Sequence, residues 1–215
     1  MQQLAANIRL LDREDIRSMP WKNGGGVTHE LAVFPADAGL GGKPFQWRIS
    51  IAEVASDGPF SPFPGYDRSI MVVAGNGMEL TLQDHGANRI AERYQPFRFP
   101  GDVQTRCRLL DGPVHDFNVI SARGEIEHHC DVVSGRAFEA AWSQSTTLFA
   151  HCLSGNLIVK LRGLAEWQLK AGQSLWFAAT PHLETAAILL APSSPQSVAA
   201  VVTLRHLPAG TAPTR

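Results

Sequence analysis

Short stretches in which apolar and polar residues alternate recur along the chain, with turn residues between them. In 45–54 (FQWRISIAEV), Trp47 and Ile49 share one face of an extended chain, and Arg48 and Ser50 share the other. A period of two residues is typical of a half-buried β-strand. On this pattern we predict strands at 27–34, 45–54, 68–74, 77–82, 103–110, 114–121, 126–133, 146–152, 156–161, 165–169, 173–177, 186–191 and 198–206.

Helical periodicity is confined to one stretch, 11–19, in which Asp12 is a suitable N-cap and Pro20 a stop signal. We therefore predict one short helix there. Many short strands at regular spacing are typical of a β-sandwich or a β-barrel. The pattern thus predicts an all-β protein with very few short helices.

A weak internal repeat indicates two similar halves. The segment 75–77 (GNG) predicts a hairpin turn, and 153–157 (LSGNL) predicts a second one. Segment 97–102 likewise resembles 169–173, and each precedes a predicted strand. Two copies of a hairpin, a spacer and a glycine turn predict two similar β-barrel halves.

Composition and charge are those of a compact globular protein: of 215 residues, 44% are hydrophobic and 18% charged. The 19 basic and 20 acidic residues give a net charge of −1, and no segment gathers the basic residues into a stripe. Non-specific nucleic-acid binding depends on neutralising phosphates with Lys and Arg. We therefore expect no direct nucleic-acid partner.

Cysteine usage and the absence of long apolar segments predict a cytoplasmic protein. Cys107, Cys130 and Cys152 are an odd number without a C-x-x-C pair, so we interpret them as free thiols in a reducing compartment. Charged residues between Arg9 and Asp15 interrupt any N-terminal signal peptide, and no apolar run approaches the roughly 18 residues that cross a bilayer. We expect no membrane association.

Alternating polar residues on two of the predicted strands form a candidate site. Thr28 and Glu30 share a face of the first strand, and Arg48 and Ser50 share a face of the second. If the strands are neighbours, the four side chains form one polar surface. That surface is either a solvated sheet face or a pocket wall in which Glu30 and Arg48 orient each other by a charge-assisted hydrogen bond.

The loop 56–68 is rich in proline and aromatic residues, so it can be ordered at a low entropic cost. Its Phe60 either caps the end of a barrel or simply packs the loop. Arg68, where the loop meets a strand, is placed to meet an anionic ligand or to pair with Asp67 or Glu53.

Asp116 and Asn118 share one face of the strand 114–121. Both side chains accept hydrogen bonds. They either hold a substrate or tie down the neighbouring loops.

The segment 20–26 (PWKNGGG) is predicted to be neither a phosphate loop nor a flexible linker. The G-x-x-x-x-G-K-[ST] spacing is missing, and a strand rather than a helix follows it. Elsewhere, 128–130 (HHC) and 151–152 (HC) contain ligand types, but adjacent residues on a strand point to opposite faces. We therefore expect no bound metal and no cofactor.

Four separated motifs resemble the HutD/Ves family in content, order and spacing. They are Trp21–Glu30, Trp47–Ala52, Phe60–Gly65 and Asp116–Asn118. The resemblance implies a bicupin of the RmlC-like class. Such a protein is a single unit over 1–215 with two antiparallel jelly-roll barrels, about 1–125 and 126–215.

The resemblance also bears on function. Proteins on the HutD side are thought to be regulators or ligand sensors associated with histidine utilisation, and the Ves side is described in terms of stress induction. No reaction is established for the family. Metal-binding cupins are expected to carry a G-(x)5-H-x-H-(x)3,4-E-(x)6-G motif, whereas 60–75 contains no histidine. Cupins often pair through sheet edges, so a homodimer is also expected by analogy.

These observations predict a metal-independent cupin that binds a small carboxylate and senses or regulates in histidine utilisation, with urocanate or N-formylglutamate as candidate ligands. Arginine suits a carboxylate because its guanidinium can bind both oxygens. The predicted ligand-binding residues are Trp21, Lys22, Asn23, Thr28, Glu30, Arg48, Ser50, Phe60, Ser61, Arg68 and Asn118.

The alternative is a metal-independent isomerase, epimerase or hydrolase that acts on a small carboxylate. In that hypothesis Glu30 or Asp116 is the general base, and His29 or Tyr66 is the acid. On a regular strand His29 faces away from Glu30, which counts against that pair.

Overall fold

The computed structural model describes residues 7–21, 24–38, 43–181 and 183–208. Arg13–Asp15 form a 3-10 helix, and the other regular elements of the described chain are β-strands, so the predicted all-β class is confirmed. None of the helical structure in this part of the chain is long and apolar enough to cross a membrane. The strands are β1 (Ile8–Leu11), β2 (Arg17–Pro20), β3 (Gly26–Phe34), β4 (Trp47–Val54), β5 (Gly58–Phe60), β6 (Tyr66–Ala74), β7 (Met78–Leu82), β8 (Gly86–Ile90), β9 (Phe97–Pro100), β10 (Thr105–Leu109), β11 (Val114–Ala122), β12 (Ile126–Ser134), β13 (Phe138–Trp142), β14 (Thr146–Ser154), β15 (Asn156–Leu161), β16 (Ala165–Lys170), β17 (Ser174–Phe177), β18 (Ala186–Pro192) and β19 (Val198–His206).

The described residues of Ile16–Glu125 form one compact unit, the N-terminal barrel. It has a six-stranded sheet in the order β2-β3-β4-β11-β6-β9 and a four-stranded sheet in the order β5-β10-β7-β8. Inward-facing apolar side chains of both sheets form its core, which includes Val54, Val72, Leu80 and Val114.

The second unit, the C-terminal barrel, contains the described residues of Ile126–Thr211 together with those of Met1–Asp15. Its sheets have the orders β1-β17-β14-β19-β12 and β13-β18-β15-β16. The first described strand belongs here because β1 pairs with β17, with Ile8 opposite Phe177. Residues 7–15 therefore belong to the C-terminal barrel.

The two barrels repeat one topology. The order β4-β11-β6-β9 corresponds to β12-β19-β14-β17, and β5-β10-β7-β8 corresponds to β13-β18-β15-β16. The internal repeat seen in the sequence is therefore real. Its detail was misaligned, however, because 97–100 is β9, whose counterpart is β17 rather than the segment 169–173.

The predicted helix over 11–19 is wrong beyond a single turn. Asp12 does begin that turn: its carbonyl oxygen accepts from the Asp15 N–H at 3.0 Å, and its own N–H donates to Oδ2 of Asp15 at 2.8 Å. From Arg17 onward the chain is extended and pairs with β3, with Arg17 opposite Glu30. Cross-strand pairing replaces the helical hydrogen bonds that propensity alone favoured.

The predicted hairpin turns at 75–77 and 153–157 are corners between two sheets, because β6 and β7, like β14 and β15, lie in different sheets. Gly75 and Gly77 have positive φ angles of 90° and 99°. A Cβ on Gly75 would lie 2.5 Å from the carbonyl oxygen of Pro113. The corner thus needs glycine for both conformation and space.

Candidate ligand-binding site

A cavity of about 760 Å³ opens into the N-terminal barrel. Exposed residues of the proline-rich loop form its rim, and side chains of β4, β6 and β11 form its wall. Its volume lies within the range of about 300–1,000 Å³ that is usual for small-molecule sites. The lining residues are Met19, Pro20, Trp21, Thr28, Arg48, Ser50, Ala52, Pro59, Phe60, Ser61, Pro62, Phe63, Arg68, Asp116, Asn118 and Ile120.

Strand register brings these side chains into ordered rows. Val54 and Val114 point into the core, so residues two, four and six positions away on the same strands face the same side. The row farthest from the apolar core contains two arginines, and the row nearest to it contains a carboxylate. From the outermost row to the innermost, the residues on β4, β11 and β6 are Arg48, Ile120 and Arg68; then Ser50, Asn118 and Ile70; then Ala52, Asp116 and Val72.

Glu30, opposite Ser50 on the neighbouring strand, holds Arg48 beside the cavity. Arg48 Nε donates to Glu30 Oε2 at 2.8 Å, so the predicted charge-assisted hydrogen bond is present. Glu30 Oε1 lies 3.4 Å from a guanidinium nitrogen of Arg17. Glu30 is buried and does not line the cavity among the described residues. Its charge is shared by two arginines, which makes it a positioning group rather than a free base.

Arg68 is a buried cation on the cavity wall, with 4% of its surface exposed. Its guanidinium carbon lies 5.0 Å from the ring centre of Phe99 and 5.3 Å from that of Phe63. One guanidinium nitrogen donates to the carbonyl oxygen of Ser61 at 3.3 Å. Burial lowers the pKa of Arg68 to about 10, while Asp116 partly opposes that shift, so Arg68 stays charged at neutral pH.

Asp116 is the carboxylate at the inner level of the cavity, with 1% of its surface exposed. Neither of its oxygens has a hydrogen-bond partner among the described residues, and neither has Oδ1 of Asn118. Burial raises the pKa of Asp116 to about 7, and the nearby charge of Arg68 limits the rise. Two residues that line the cavity therefore carry buried acceptor atoms that are unpaired among the described residues.

Trp21 closes one side of the cavity. Its indole Nε1 donates to Oγ1 of Thr28 at 2.8 Å. Its ring meets Phe60 edge to face, with centroids 6.1 Å apart and planes at 80°. These contacts fix an apolar ring beside the polar wall.

The glycines of 24–26 position Trp21. Gly24 has a φ of 72°, and its N–H donates to the carbonyl oxygen of Trp21 at 3.1 Å. A Cβ on Gly26 would collide with the carbonyl oxygen of Glu53 and lie 3.2 Å from the Trp21 ring. The contacts of Gly24 and Gly26 therefore hold the tryptophan in place. Lys22 and Asn23, both predicted to bind ligand, lie outside the described residues.

The cavity brings together most of the predicted set. Its members at the cavity are Trp21, Thr28, Arg48, Ser50, Phe60, Ser61, Arg68 and Asn118. Asp116, which was predicted with Asn118 either to hold a substrate or to tie down loops, and as a base in the alternative hypothesis, lines it as well.

The acid candidates of the alternative hypothesis lie elsewhere. His29 Nδ1 is hydrogen-bonded to Oγ of Ser18 at 2.9 Å at an exposed position. The Tyr66 hydroxyl donates to the carbonyl oxygen of Phe45 at 2.8 Å. Neither lines the cavity among the described residues, so neither is placed to act with Asp116.

The three cysteine thiols are not activated as nucleophiles. Burial raises the pKa of the Cys107 and Cys130 thiols to about 12 and that of Cys152 to about 11, so thiolates are scarce at neutral pH. Within the described ranges no three His, Cys, Asp or Glu side chains converge as metal ligands.

Comparison with known proteins places this geometry in a family. A family model named HutD matches residues 13–190. A Pseudomonas putida protein described as an uncharacterized 21.2 kDa protein in the hutC 3′ region is 36% identical over 158 residues, which cover 74% of this chain and 80% of that protein. Protein Ves of Citrobacter koseri is 35% identical over 140 residues, which cover 63% of this chain and 70% of Ves.

Solved structures agree with this assignment. A conserved protein of unknown function from Pseudomonas aeruginosa PAO1 has a TM-score of 0.82 at 31% identity, covering 94% of this chain and 100% of that one. HutD from Pseudomonas fluorescens SBW25, from a formate condition, has a TM-score of 0.77 at 31% identity with the same coverage.

A more distant likeness concerns the fold alone. Bacillus subtilis oxalate decarboxylase has a TM-score of 0.61 at 8% identity, covering 92% of this chain and 76% of that one. The bicupin architecture predicted from the repeat and the motifs is confirmed. Since the HutD model spans more than half of the sequence, the chain belongs to the HutD family.

Proposed function

We propose that the N-terminal barrel binds a small carboxylate without a metal, and that binding serves ligand sensing or regulation in histidine utilisation. The observation that carries the proposal is Arg68. It is a buried guanidinium on a cavity wall, and among the described residues no carboxylate lies within ion-pair distance of it.

The physical reason is the high free energy of a buried charge without a direct partner. A cation taken out of water costs several kcal/mol unless an opposite charge and hydrogen bonds compensate for it. A ligand carboxylate that accepts two N–H bonds from Arg68 would supply both. Arg48 is already paired with Glu30, so Arg68 is the primary anchor and Arg48 the secondary one.

The neighbouring groups suit such a ligand. Ser50 and Thr28 offer hydroxyl groups at the wall, and Trp21 and Phe60 offer apolar surface. A site with a few polar groups among apolar and aromatic ones is typical of small-molecule pockets.

The link to histidine utilisation is supported by the relatives. One relative is described by its place in the hutC 3′ region, and another is named HutD. Urocanate and N-formylglutamate are therefore the candidate ligands, and formate, present in the condition of the Pseudomonas fluorescens structure, is a minimal carboxylate probe.

A thermal-shift screen with urocanate, N-formylglutamate, glutamate, histidine and formate tests the proposal. A ligand at about 100 times its Kd should add about 2.7 kcal/mol to the free energy of unfolding. Arg68→Met, which keeps the apolar stem of the side chain, should abolish the shift. Arg106→Ala is the matched control because Arg106 is exposed and lies outside the cavity lining. The proposal fails if no carboxylate shifts the wild type, or if Arg68→Met binds as well as the control.

One observation supports a second candidate function, a metal-independent isomerase, epimerase or hydrolase. A buried carboxylate whose pKa lies near 7, as that of Asp116 does, is suited to general base catalysis. Incubation of each binding carboxylate with the protein, followed by NMR of the ligand, tests this function. Turnover that disappears in Asp116→Asn would favour the enzyme, and an unchanged ligand would leave binding as the function.

A further inference from the structure

We propose that Asp116 is a second anchor of the ligand site, and that the ligand is a small carboxylate carrying an N–H donor at the end remote from its carboxylate. The inference rests on the proposed function, since it assumes that Arg68 takes the carboxylate. It adds the class of molecule that the cavity selects.

The first argument is the unsatisfied state of Asp116. The Asp116 residue lines the cavity, and its two buried oxygens have no hydrogen-bond partner in the described part of the chain. Buried polar groups in proteins are almost always hydrogen-bonded. Its neighbours across the sheet, Ala52 and Val72, offer no polar side chain. The partner that Asp116 lacks is therefore one that enters through the cavity.

The second argument is the spacing between the two anchors. On β11, Asp116 lies four residues from Ile120, which is the residue opposite Arg68 on β6. Four residues of a strand span about 13 Å, and the long Arg68 side chain shortens the gap between the charged groups. A ligand of a few bonds' length can therefore touch both. Asn118 lies between them, with a free Oδ1 facing the same space.

The third argument is electrostatic. The positive charge of Arg68 is what stabilises ionised Asp116. A carboxylate bound to Arg68 would cancel that effect and leave Asp116 as an isolated buried acceptor. A ligand that also brings an N–H donor removes this penalty, whereas a ligand with an apolar end does not. The cavity should thus favour a donor-bearing carboxylate by roughly ten- to a hundredfold.

The test compares two ligands of the same shape. Urocanate and trans-cinnamate share an acrylate carboxylate, but urocanate ends in an imidazole with an N–H and cinnamate in a phenyl ring. By calorimetry at pH 8, the wild type should bind urocanate roughly tenfold or more tightly than cinnamate. Asp116→Leu should lose this preference while still binding cinnamate. Equal affinities in the wild type, or an unchanged preference in Asp116→Leu, would overturn the inference and leave the carboxylate site standing.

A second measurement avoids both the imidazole titration and any folding defect of Asp116→Leu. 4-Formamidobutanoate has a single carboxylate and, at its remote end, an amide N–H that does not titrate near pH 7. Its affinity should rise between pH 6 and pH 8 in the wild type as Asp116 ionises, and stay constant in Asp116→Asn. The ionisable groups near Asp116 are Arg68 on β6, Arg48 on β4 with its partner Glu30 on β3, and Cys107 on β10. A flat wild-type profile contradicts the inference.

Failure of the underlying function looks different. If neither urocanate, cinnamate nor 4-formamidobutanoate binds, or if Arg68→Met binds all of them normally, the carboxylate site itself is wrong and the role of Asp116 falls with it.

Discussion

The two barrels share one strand order but differ in what fills them. In the N-terminal barrel, β6 and β11 place charged and amide groups toward the interior, whereas the same positions of β14 and β19 carry apolar groups that belong to the core. Strand register gives the correspondence: Arg68 with Leu148, Asn118 with Val201, and Asp116 with Ala199.

The difference between the two interiors shows that one half of a repeated fold can carry a binding site while the other half is a packed core. Trp142, Leu148 and Phe177 fill the C-terminal barrel, and all three are fully buried. The N-terminal barrel gives up part of such packing for a cavity with buried charges. Because both barrels keep the same backbone plan, the fold tolerates either interior, and the chemistry lies in the side chains of one half.

The largest effect should follow from placing the charge of one barrel in the other. Leu148→Arg puts a guanidinium at the counterpart of Arg68, but among the buried apolar side chains of a filled core. An uncompensated buried charge costs about 3–5 kcal/mol, so urea denaturation should reveal severe destabilisation. Leu148→Met, which keeps the volume, should cost less than about 1.5 kcal/mol. Equal stability of the two variants would mean that the C-terminal barrel is not the closed core described.

A pH-dependent effect should follow from Asp116. Its pKa is about 7 in the folded protein against a usual 3.8. Between these values the folded protein keeps a proton that the unfolded chain has released, so raising the pH lowers the free energy of unfolding, by at most about 1.4 kcal/mol per pH unit. Asp116→Asn has no carboxyl group to titrate at this position, so its free energy of unfolding does not fall in this way. Its stability relative to the wild type should therefore rise from pH 4 to pH 7 and level off above; a constant difference would contradict the assignment.

A smaller effect is expected at the glycine segment that positions Trp21. Gly26→Ala forces its methyl group against the Glu53 carbonyl and the Trp21 ring, and should cost about 1–3 kcal/mol and weaken carboxylate binding. Gly24→Ala is the matched control. It has a positive φ but no atom within 4 Å of the new Cβ, so it should cost about 1–2 kcal/mol and spare binding. Equal loss of affinity in both variants would remove the argument that Gly26 positions Trp21.

The smallest effect should come from a surface pair of the C-terminal barrel. Lys160 Nζ lies 2.9 Å from Glu166 Oε2, with the side chains 46% and 56% exposed. Exposed pairs contribute roughly 0–1 kcal/mol and are screened by salt. Thermal denaturation of Glu166→Ala should show a change within that range. A larger, salt-insensitive loss would indicate that the barrel depends on its surface charges.

Alternation along the strands was enough to predict the faces of Arg48 and Ser50, and of Asp116 and Asn118, because side-chain direction on a regular strand is a local property. On β3 the prediction from alternation was wrong beyond Glu30. The register shifts between Glu30 and Ala32, so Ala32 pairs with Ile49 and leaves the face that the strict period assigned to it. A bulge inserts one residue, and nothing local in the sequence marks it.

Long-range pairing explains the remaining differences. The strands β1, β2, β5, β8, β9 and β13 were not predicted: each has three to five residues, too few for a period-two pattern to be distinctive. The neighbourhood of Arg68 and Asp116 also depends on β11 lying between β4 and β6, a non-local choice that spacing cannot reveal. The motifs supplied the members of the site, and the sheet order supplies their arrangement.

The pairing of β1 with β17 bears on the order in which the molecule assembles during synthesis. Asp12, next to β1, accepts a hydrogen bond from Gln173, which is 161 residues later in the chain. At about 5–20 residues per second, the first strand waits roughly ten to thirty seconds for its partner to leave the ribosome. All strands of the barrel that carries the cavity are synthesised by then, so β1 stays without its sheet partner until β17 of the second barrel has been made.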